Sequence, residues 1–280
     1  MQDQPALDTR DDGAELYHRC PSSPECTHCQ SGSAEEWNFL DAVYCISLRD
    51  REDRAANAAE ELHRTGLCRK ATFYRPVRPA RGMVSVAIWE SHKAVTRHAL
   101  ELGFRNALIL EDDVTFPAPQ KLAARARRAY DSLPSGWGGL YFGHWPVDGY
   151  FVSRSLLKVH SGCTHAYLAG ETLLRRITDS TPPPQGETCH PIVGRGIDGM
   201  LASRDDMYAV FPMIAVQAPF TSDNVSLRLS RAGKKRPVTD IFRYRALVII
   251  HGMRAAEILC ALLSPVHWLR SRLSNRSHSK

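Results

Sequence analysis

The stretch from residue 107 to residue 116 joins an uninterrupted apolar run to three consecutive carboxylates. The run Ala107 to Leu110 is followed without a spacer by Glu111, Asp112 and Asp113. A short apolar run of this kind predicts a buried strand, and open α/β sheets bind their ligands beyond the carboxyl ends of such strands. Three adjacent acids repel one another, so we expect a cation near them, and hard oxygen ligands favour Mn²⁺ or Mg²⁺. The alternative is a solvated acidic turn.

Strands and helices alternate along the first half of the chain. Residues 42–48 have the pattern of a buried strand, and residues 53–65 have the pattern of a helix. Residues 85–102 form a second predicted helix, with Ser85 as its N-cap. Such alternation is typical of βαβ units. The sequence therefore predicts an α/β fold with a mostly parallel central sheet flanked by helices.

Composition divides the chain into three parts. Residues 1–36 are polar and predict a flexible arm, residues 37–227 form the predicted folded body, and residues 228–280 form a basic tail. The tail has 12 Lys and Arg against two acidic residues, a charge of +10, whereas the whole chain carries +6. We expect the tail to meet an anionic membrane surface rather than a nucleic acid, because its aromatic residues do not alternate with bases.

Three cysteines lie close together in the arm, at Cys20, Cys26 and Cys29. Together with a nearby histidine they could hold a structural Zn²⁺, although their spacing matches no standard zinc motif, and free thiols are the alternative. The 8 cysteines of the chain form no dense framework, which fits a reducing compartment. The first residues also lack a secretory signal pattern. A cytoplasmic location is therefore expected.

The tail contains an apolar run at residues 246–264 that is interrupted by His251, Arg254 and Glu257. Charges within the run argue against a membrane span. The pattern instead predicts an amphipathic helix in the membrane interface, with Trp268 at its edge. Packing of the helix on the body, or a dimer contact, is the alternative.

Six sequence blocks follow one another between residues 42 and 225. The first three are I-S-L-R-D-R-E-D-R at 46–54, G-M-V-S-V-A-I-W-E-S-H at 82–92 and L-I-L-E-D-D-V at 108–114. The others are T-H-A-Y at 164–167, I-D-G-M-L at 197–201 and the segment from Pro212 to Asp223. In order and spacing they resemble glycosyltransferase family 25, the lipopolysaccharide and procollagen-type galactosyltransferases.

The resemblance implies a GT-A type nucleotide-sugar-binding fold, a donor such as UDP-galactose, a divalent metal (Mn²⁺ or Mg²⁺) and inverting chemistry. The implied reaction transfers a hexose to a hydroxyl of a glycan or glycolipid acceptor, in lipopolysaccharide or surface polysaccharide biosynthesis. Glu111 and Asp113 match the family's metal motif, and Asp112 could contact hydroxyl groups of the donor.

Further site residues follow from the same blocks. The expected donor-binding residues, besides Asp112, are Ser47, Arg51, Arg54, Ser91 and His92, because Arg suits phosphate contacts and the S-H pair matches the second block. An inverting transfer needs a general base, for which Asp198 and Asp223 are the candidates. For Asp198 the alternative is a helix N-cap.

Two positions depart from the family pattern. Ser47 stands where the family has Asn, and the Gly-Cys pair of the second block is missing. The alternative hypothesis is therefore a catalytically silent homologue that acts as a membrane-attached binding protein.

Overall fold

A computed structural model describes residues 8–9, 14–18, 35–80, 83–184, 186–218 and 238–277. The candidate zinc ligands Cys20, Cys26 and Cys29 and the candidate base Asp223 lie outside these residues, so the hypotheses about them stay predictions.

The strands, in chain order, are β1 (Asp8–Thr9), β2 (Glu15–His18), β3 (Ala42–Ile46), β4 (Ala71–Arg75), β5 (Asn106–Glu111), β6 (Val114–Thr115), β7 (Gly139–Tyr141), β8 (Trp145–Ser153), β9 (Leu156–Gly162), β10 (Ala166–Gly170), β11 (Met207–Val210) and β12 (Val216–Gln217). The α-helices are α1 (Glu52–Arg64), α2 (Val84–Glu101), α3 (Leu122–Tyr130), α4 (Glu171–Asp179), α5 (Ile197–Ala202) and α6 (Val238–Ser277). Short 3-10 helices cover Glu35–Trp37, Leu67–Lys70 and Pro119–Lys121.

The described strands form one large mixed sheet in the order β1-β2-β4-β3-β5-β10-β7-β11-β9-β8, and β6 pairs separately with β12. The predicted α/β class with flanking helices is confirmed. The predicted parallel arrangement holds for β4, β3 and β5 and for the β7–β11 pair, whereas the other neighbours are antiparallel. Parallel neighbours need a crossover connection, and the second half of the chain instead joins β8 to β9 by a tight hairpin.

The centre of the sheet is buried on both faces. Val43 pairs with Leu108, and both face a cluster that contains α1. Tyr44 pairs with Ile109, and both face the opposite cluster, which contains α2. A parallel strand covered on both faces has an uninterrupted apolar sequence, which explains the run before the three acids. The acids therefore emerge where β5 leaves the core.

Two local predictions were wrong. Ser85 lies inside α2, whose N-cap is Met83, because the helix begins at Val84. Part of the predicted arm joins the sheet: Glu15–His18 form β2, which pairs with β4, and Leu16 is buried. A four-residue strand between polar segments has too little periodicity to be recognised from the sequence.

The predicted amphipathic tail helix is present as α6 and packs along β8. Met253 and Cys260 are buried against the body. Ser264 Oγ accepts a hydrogen bond of 2.7 Å from the Phe151 amide, and the Glu257 carboxylate accepts one of 2.5 Å from the Met213 amide. Among the described helices, none has a stretch long and apolar enough to cross a membrane. The helix thus packs on the body through one face.

Candidate active site

A cavity of about 470 Å³ lies beyond the carboxyl ends of β3 and β5. Apolar residues such as Leu48, Val77 and Pro79 form one part of its wall. The other part is polar and contains seven residues expected from the sequence: Arg54, Ser91, His92, Glu111, Asp112, Asp113 and Asp198. They come from α1, α2, the end of β5 and α5, so the fold brings together residues up to 144 positions apart.

Asp112 is tied to α1 by a buried ion pair. Arg54 Nη1 donates to Asp112 Oδ1 at 2.9 Å, and both side chains are less than a tenth exposed. Burial raises the pKa of Asp112, and the charge of Arg54 and the Ser47 hydroxyl only partly offset that effect. The Asp112 amide continues the β3–β5 ladder by donating to Ile46 O at 3.1 Å. Asp112 is therefore held rigidly at the cavity wall.

Glu111 faces a threonine and a histidine. Thr164 Oγ1 donates to Glu111 Oε1 at 2.6 Å, and His92 Nε2 lies 3.8 Å from the same oxygen. The other ring nitrogen of His92 is 2.9 Å from the Tyr167 hydroxyl, which fixes the ring orientation. Burial raises the pKa of Glu111, but His92 and Thr164 together outweigh it and lower that pKa. Glu111 is therefore held in its ionised form.

Of the three acids, Asp113 has the carboxylate with the fewest stabilising contacts. Its Oδ2 lies 3.5 Å from Gln217 Nε2, whereas its buried Oδ1 has no hydrogen-bond partner within the described ranges. Burial raises the pKa of Asp113 to about 8, with further contributions from the charges of Glu111 and Asp112. A buried anionic oxygen without a partner is costly, so this atom is suited to a cation.

Asp198 lines the same cavity as the three acids and lies next to Thr164, whose hydroxyl also contacts Glu111. It lies in the first turn of α5, but the N-cap of that helix is Gly196, so the capping alternative was wrong. Its Oδ1 is buried and lacks a hydrogen-bond partner in the part of the chain that the structure describes. Burial, followed by the charge of Glu111, raises the pKa of Asp198. Such a carboxylate accepts a proton more readily than an exposed one.

Two expected donor-binding residues lie outside the cavity lining. Ser47 is buried next to Asp112, where its hydroxyl lowers the pKa of that carboxyl group. Arg51 donates to Asp53 at 2.9 Å. Conversely, Thr164 and Gln217 line the cavity, although neither was predicted as a site residue. The position of Thr164 at the start of the T-H-A-Y block was the signal available for it.

The residues at this site fit a divalent cation that takes some of its ligands from the protein and the rest from phosphate oxygens and water. Among the described residues, no group of three or more His, Cys, Asp or Glu side chains converges as a complete metal site. Mg²⁺ in nucleotide sites is commonly bound by one or two carboxylates, with phosphate oxygens and waters completing the shell. The unpartnered Asp113 Oδ1 and the neighbouring Glu111 provide such an incomplete set.

No family model and no curated protein matches the chain. Three solved structures show limited likeness. A197 from STIV has 11% identity and a TM-score of 0.36, over 65% of this chain and 85% of that one. A glycosyltransferase involved in glycosylation of the major capsid of PBCV-1 has 11% identity and a TM-score of 0.32, over 49% and 63%.

The third is a putative glucose-1-phosphate thymidylyltransferase from Bacillus anthracis, with 10% identity and a TM-score of 0.35 over 70% of this chain and 78% of that one. Likenesses with TM-scores this low carry no argument about activity. Fold and site together define an α/β protein with an acidic ligand cavity at the ends of parallel strands.

Proposed function

We propose that the chain is a metal-dependent glycosyltransferase that uses a nucleotide-sugar donor. The observation that carries the proposal is the meeting of Arg54, His92, the three acids and Asp198 at one cavity. A volume of about 470 Å³ lies within the range of small-molecule sites. The sequence blocks that resemble family 25 supply these same residues, which supports UDP-sugar as the donor and galactose as the transferred hexose.

Asp113 and Glu111 would hold the cation, Mn²⁺ or Mg²⁺, at the end of β5. When bound, the cation neutralises the leaving diphosphate. Asp112, fixed by Arg54 at 2.9 Å, would accept hydrogen bonds from donor hydroxyl groups. Ser91 and His92 form the donor side of the α2 wall. The chain's own contribution at this wall is orientation of the donor.

Asp198 would act as the general base of an inverting transfer. It is buried, it lines the cavity together with the acids, and its pKa is raised. A base must lie within hydrogen-bond reach of the acceptor hydroxyl, and a buried carboxylate at the cavity wall could provide that contact. Asp223 stays a second candidate for this role.

We further propose that α6 attaches the enzyme to an anionic membrane, on the cytoplasmic leaflet, where glycolipid acceptors of lipopolysaccharide or surface polysaccharide synthesis would reside. The face of α6 that points away from the body exposes large apolar side chains at helical spacing: Ile258, Leu262, Val266, Leu269 and Leu273. Exposed Arg254, Arg270 and Arg272 on the same helix supply the complementary charge.

The donor proposal is tested by calorimetric titration of UDP, GDP and CMP with and without Mn²⁺. We expect binding of UDP that requires Mn²⁺ and is lost in Asp113→Ala. Asp131→Ala is the matched control, because Asp131 is an exposed carboxylate at the end of α3 that pairs with Arg127. If the wild-type and Asp131→Ala proteins are folded and bind no nucleotide, the result would instead favour the catalytically silent homologue.

The membrane proposal is tested by flotation with neutral and anionic phospholipid vesicles. Each fully buried Leu is worth roughly 1.5–3 kcal/mol, so replacing Leu262 and Leu269 by Ser should weaken binding to anionic vesicles at least about tenfold. Leu102→Ser removes a similarly exposed leucine next to α2 and is the control. Equal flotation of all three proteins would exclude α6 as the anchor.

A further inference from the structure

A second cavity, of about 590 Å³, adjoins the acidic one. Cys163, Asp198 and Gln217 line both. Asp198 therefore lies where the two cavities meet. A general base must lie within hydrogen-bond reach of the hydroxyl that it deprotonates.

The walls of the second cavity differ in chemistry from those of the first. Around the entrance lie Trp145, which is 37% exposed, Ile192, which is 73% exposed, and Val193. Apart from Asp198 the described lining has no charged residue. An aromatic face and aliphatic groups around one carboxylate suit a ligand with an apolar face and hydroxyl groups.

The Trp145 ring packs closely against the tail helix. Trp145 opens β8 and is paired in register with Gly162 of β9. A methyl group at Gly162 would lie 2.9 Å from Val193, so the absence of a side chain there lets the 186–196 segment close over the strand. A methyl group at Gly252 of α6 would lie 2.8 Å from the indole ring of Trp145. The ring is thus braced by the tail helix and still exposed.

We propose that this second cavity is the acceptor site and that it binds a pyranose ring. The C–H groups on one face of the sugar would pack on the indole of Trp145, and one hydroxyl would point to Asp198. The proposal rests on the proposed function for the role of Asp198, but the binding of a sugar to Trp145 does not depend on it.

The proposed transfer step forms one bond and breaks another. The acceptor oxygen forms a bond to the anomeric carbon of the donor, and the bond between that carbon and the diphosphate oxygen breaks. The proton of the acceptor hydroxyl goes to the Asp198 carboxylate, and the nucleoside diphosphate leaves with the electron pair. Because the two cavities meet at Cys163, Asp198 and Gln217, an acceptor in the second cavity would adjoin a donor in the first.

The test uses saturation-transfer difference NMR of the full chain with methyl β-D-galactopyranoside and methyl β-D-glucopyranoside. We expect transfer to the C–H protons of one sugar face in the wild-type protein. Loss of one aromatic stacking contact should weaken binding about tenfold in Trp145→Ala, and Trp145→Phe should retain part of it. Trp268→Ala is the control, because Trp268 is exposed to a similar degree but lies outside the described cavity linings.

The proposal would be overturned by equal saturation transfer in the wild-type, Trp145→Ala and Trp268→Ala proteins, provided that all three have native circular dichroism spectra. The absence of any transfer from the wild-type protein to the sugars would also overturn it. Titration of UDP and Mn²⁺ into the same variants separates this result from the donor proposal. Glycoside binding that needs Trp145 without any nucleotide binding would retain the sugar site and reject the glycosyltransferase.

Discussion

Asp113 Oδ2 and Gln217 Nε2 lie 3.5 Å apart, although 104 positions separate them in the sequence. The contact exists because Gln217 of β12 pairs in register with Val114 of β6, the residue after Asp113. The short two-stranded sheet therefore fixes the side chain that we propose as the main cation ligand. Gln217 also lines both cavities, so it lies between the proposed donor site and the proposed acceptor site.

Replacing Gln217 by Leu should weaken Mn²⁺ binding about tenfold, because groups that orient a metal ligand commonly change metal affinity by 10–100-fold. The measurement is a Mn²⁺ titration followed by water-proton relaxation enhancement, with and without UDP. Gln120→Leu is the matched control, because Gln120 is exposed and lies outside the described cavity linings. Unchanged Mn²⁺ affinity in Gln217→Leu would show that Asp113 needs no such support.

Replacing Arg54 by Ala should destabilise the protein by roughly 3–5 kcal/mol, because the buried carboxylate of Asp112 then has no charged partner. Changing Arg54 to Met and Asp112 to Leu together should recover most of that loss, since an apolar pair of similar volume removes the uncompensated charge. Urea unfolding of the two variants measures the difference. A double variant no more stable than Arg54→Ala would mean that other contacts of Arg54 dominate.

Asp113→Asn should stabilise the cation-free protein and abolish metal-dependent nucleotide binding. The carboxylate lies beside Glu111 and Asp112, and its burial raises the pKa to about 8. Removing like-charge repulsion is expected to add about 1 kcal/mol, or about 2–4 °C in Tm for a domain of this size. Differential scanning calorimetry in the presence of a chelator tests this, with Asp131→Asn as the exposed control. A lower Tm would mean that Asp113 is a structural residue.

Stability should depend on pH through His160. Hydrogen bonding to Asp148, at 2.7 Å, opposes burial and raises the pKa of His160 above its ordinary 6.5, with help from Asp205. The pair's contribution is fully present below pH 6.5 and is lost as the pH rises through the raised pKa of the folded protein. His160 also lowers the pKa of Asp148 from 3.8, so the contribution is lost again as the pH falls through that lowered value.

Both side chains of this pair are about a third or more exposed, so the effect should not exceed about 1 kcal/mol. The measurement is the difference in Tm between wild-type and His160→Gln proteins from pH 5 to pH 9. The difference should shrink as the pH rises. A constant difference would show that the ring contributes packing rather than charge.

The sequence contains enough information to predict the elements whose patterning is local. The apolar run before Glu111, the helix around Arg54 and the position of His92 on a buried helix face all follow from periodicity and from the family blocks. The partners of these residues depend on strand order, which periodicity does not encode. Gln217 reaches the site because β12 pairs with β6. Thr164 reaches it because β10, which begins two residues later, lies antiparallel between β5 and β7. A linear sequence pattern reveals neither pairing.

The second cavity, which we propose as the acceptor site, could not be predicted from the sequence. Trp145, Val193 and Gly252 come from a strand, a loop and the tail helix, and each is unremarkable in its own segment. Their juxtaposition depends on the packing of α6 along β8. Packing of the tail helix on the body was the alternative to membrane contact, and the hydrogen bond of 2.7 Å from the Phe151 amide to Ser264 Oγ shows that tail and body share contacts.

The packing of α6 has a consequence for handling the protein. β8 is nine residues long and stands at the end of the described sheet, so the helix covers what would otherwise be an open strand edge. Uncovered edges of this length are templates for pairing with further chains. A chain cut before α6 would therefore be prone to self-association, and its sedimentation with vesicles would report aggregation rather than lipid affinity.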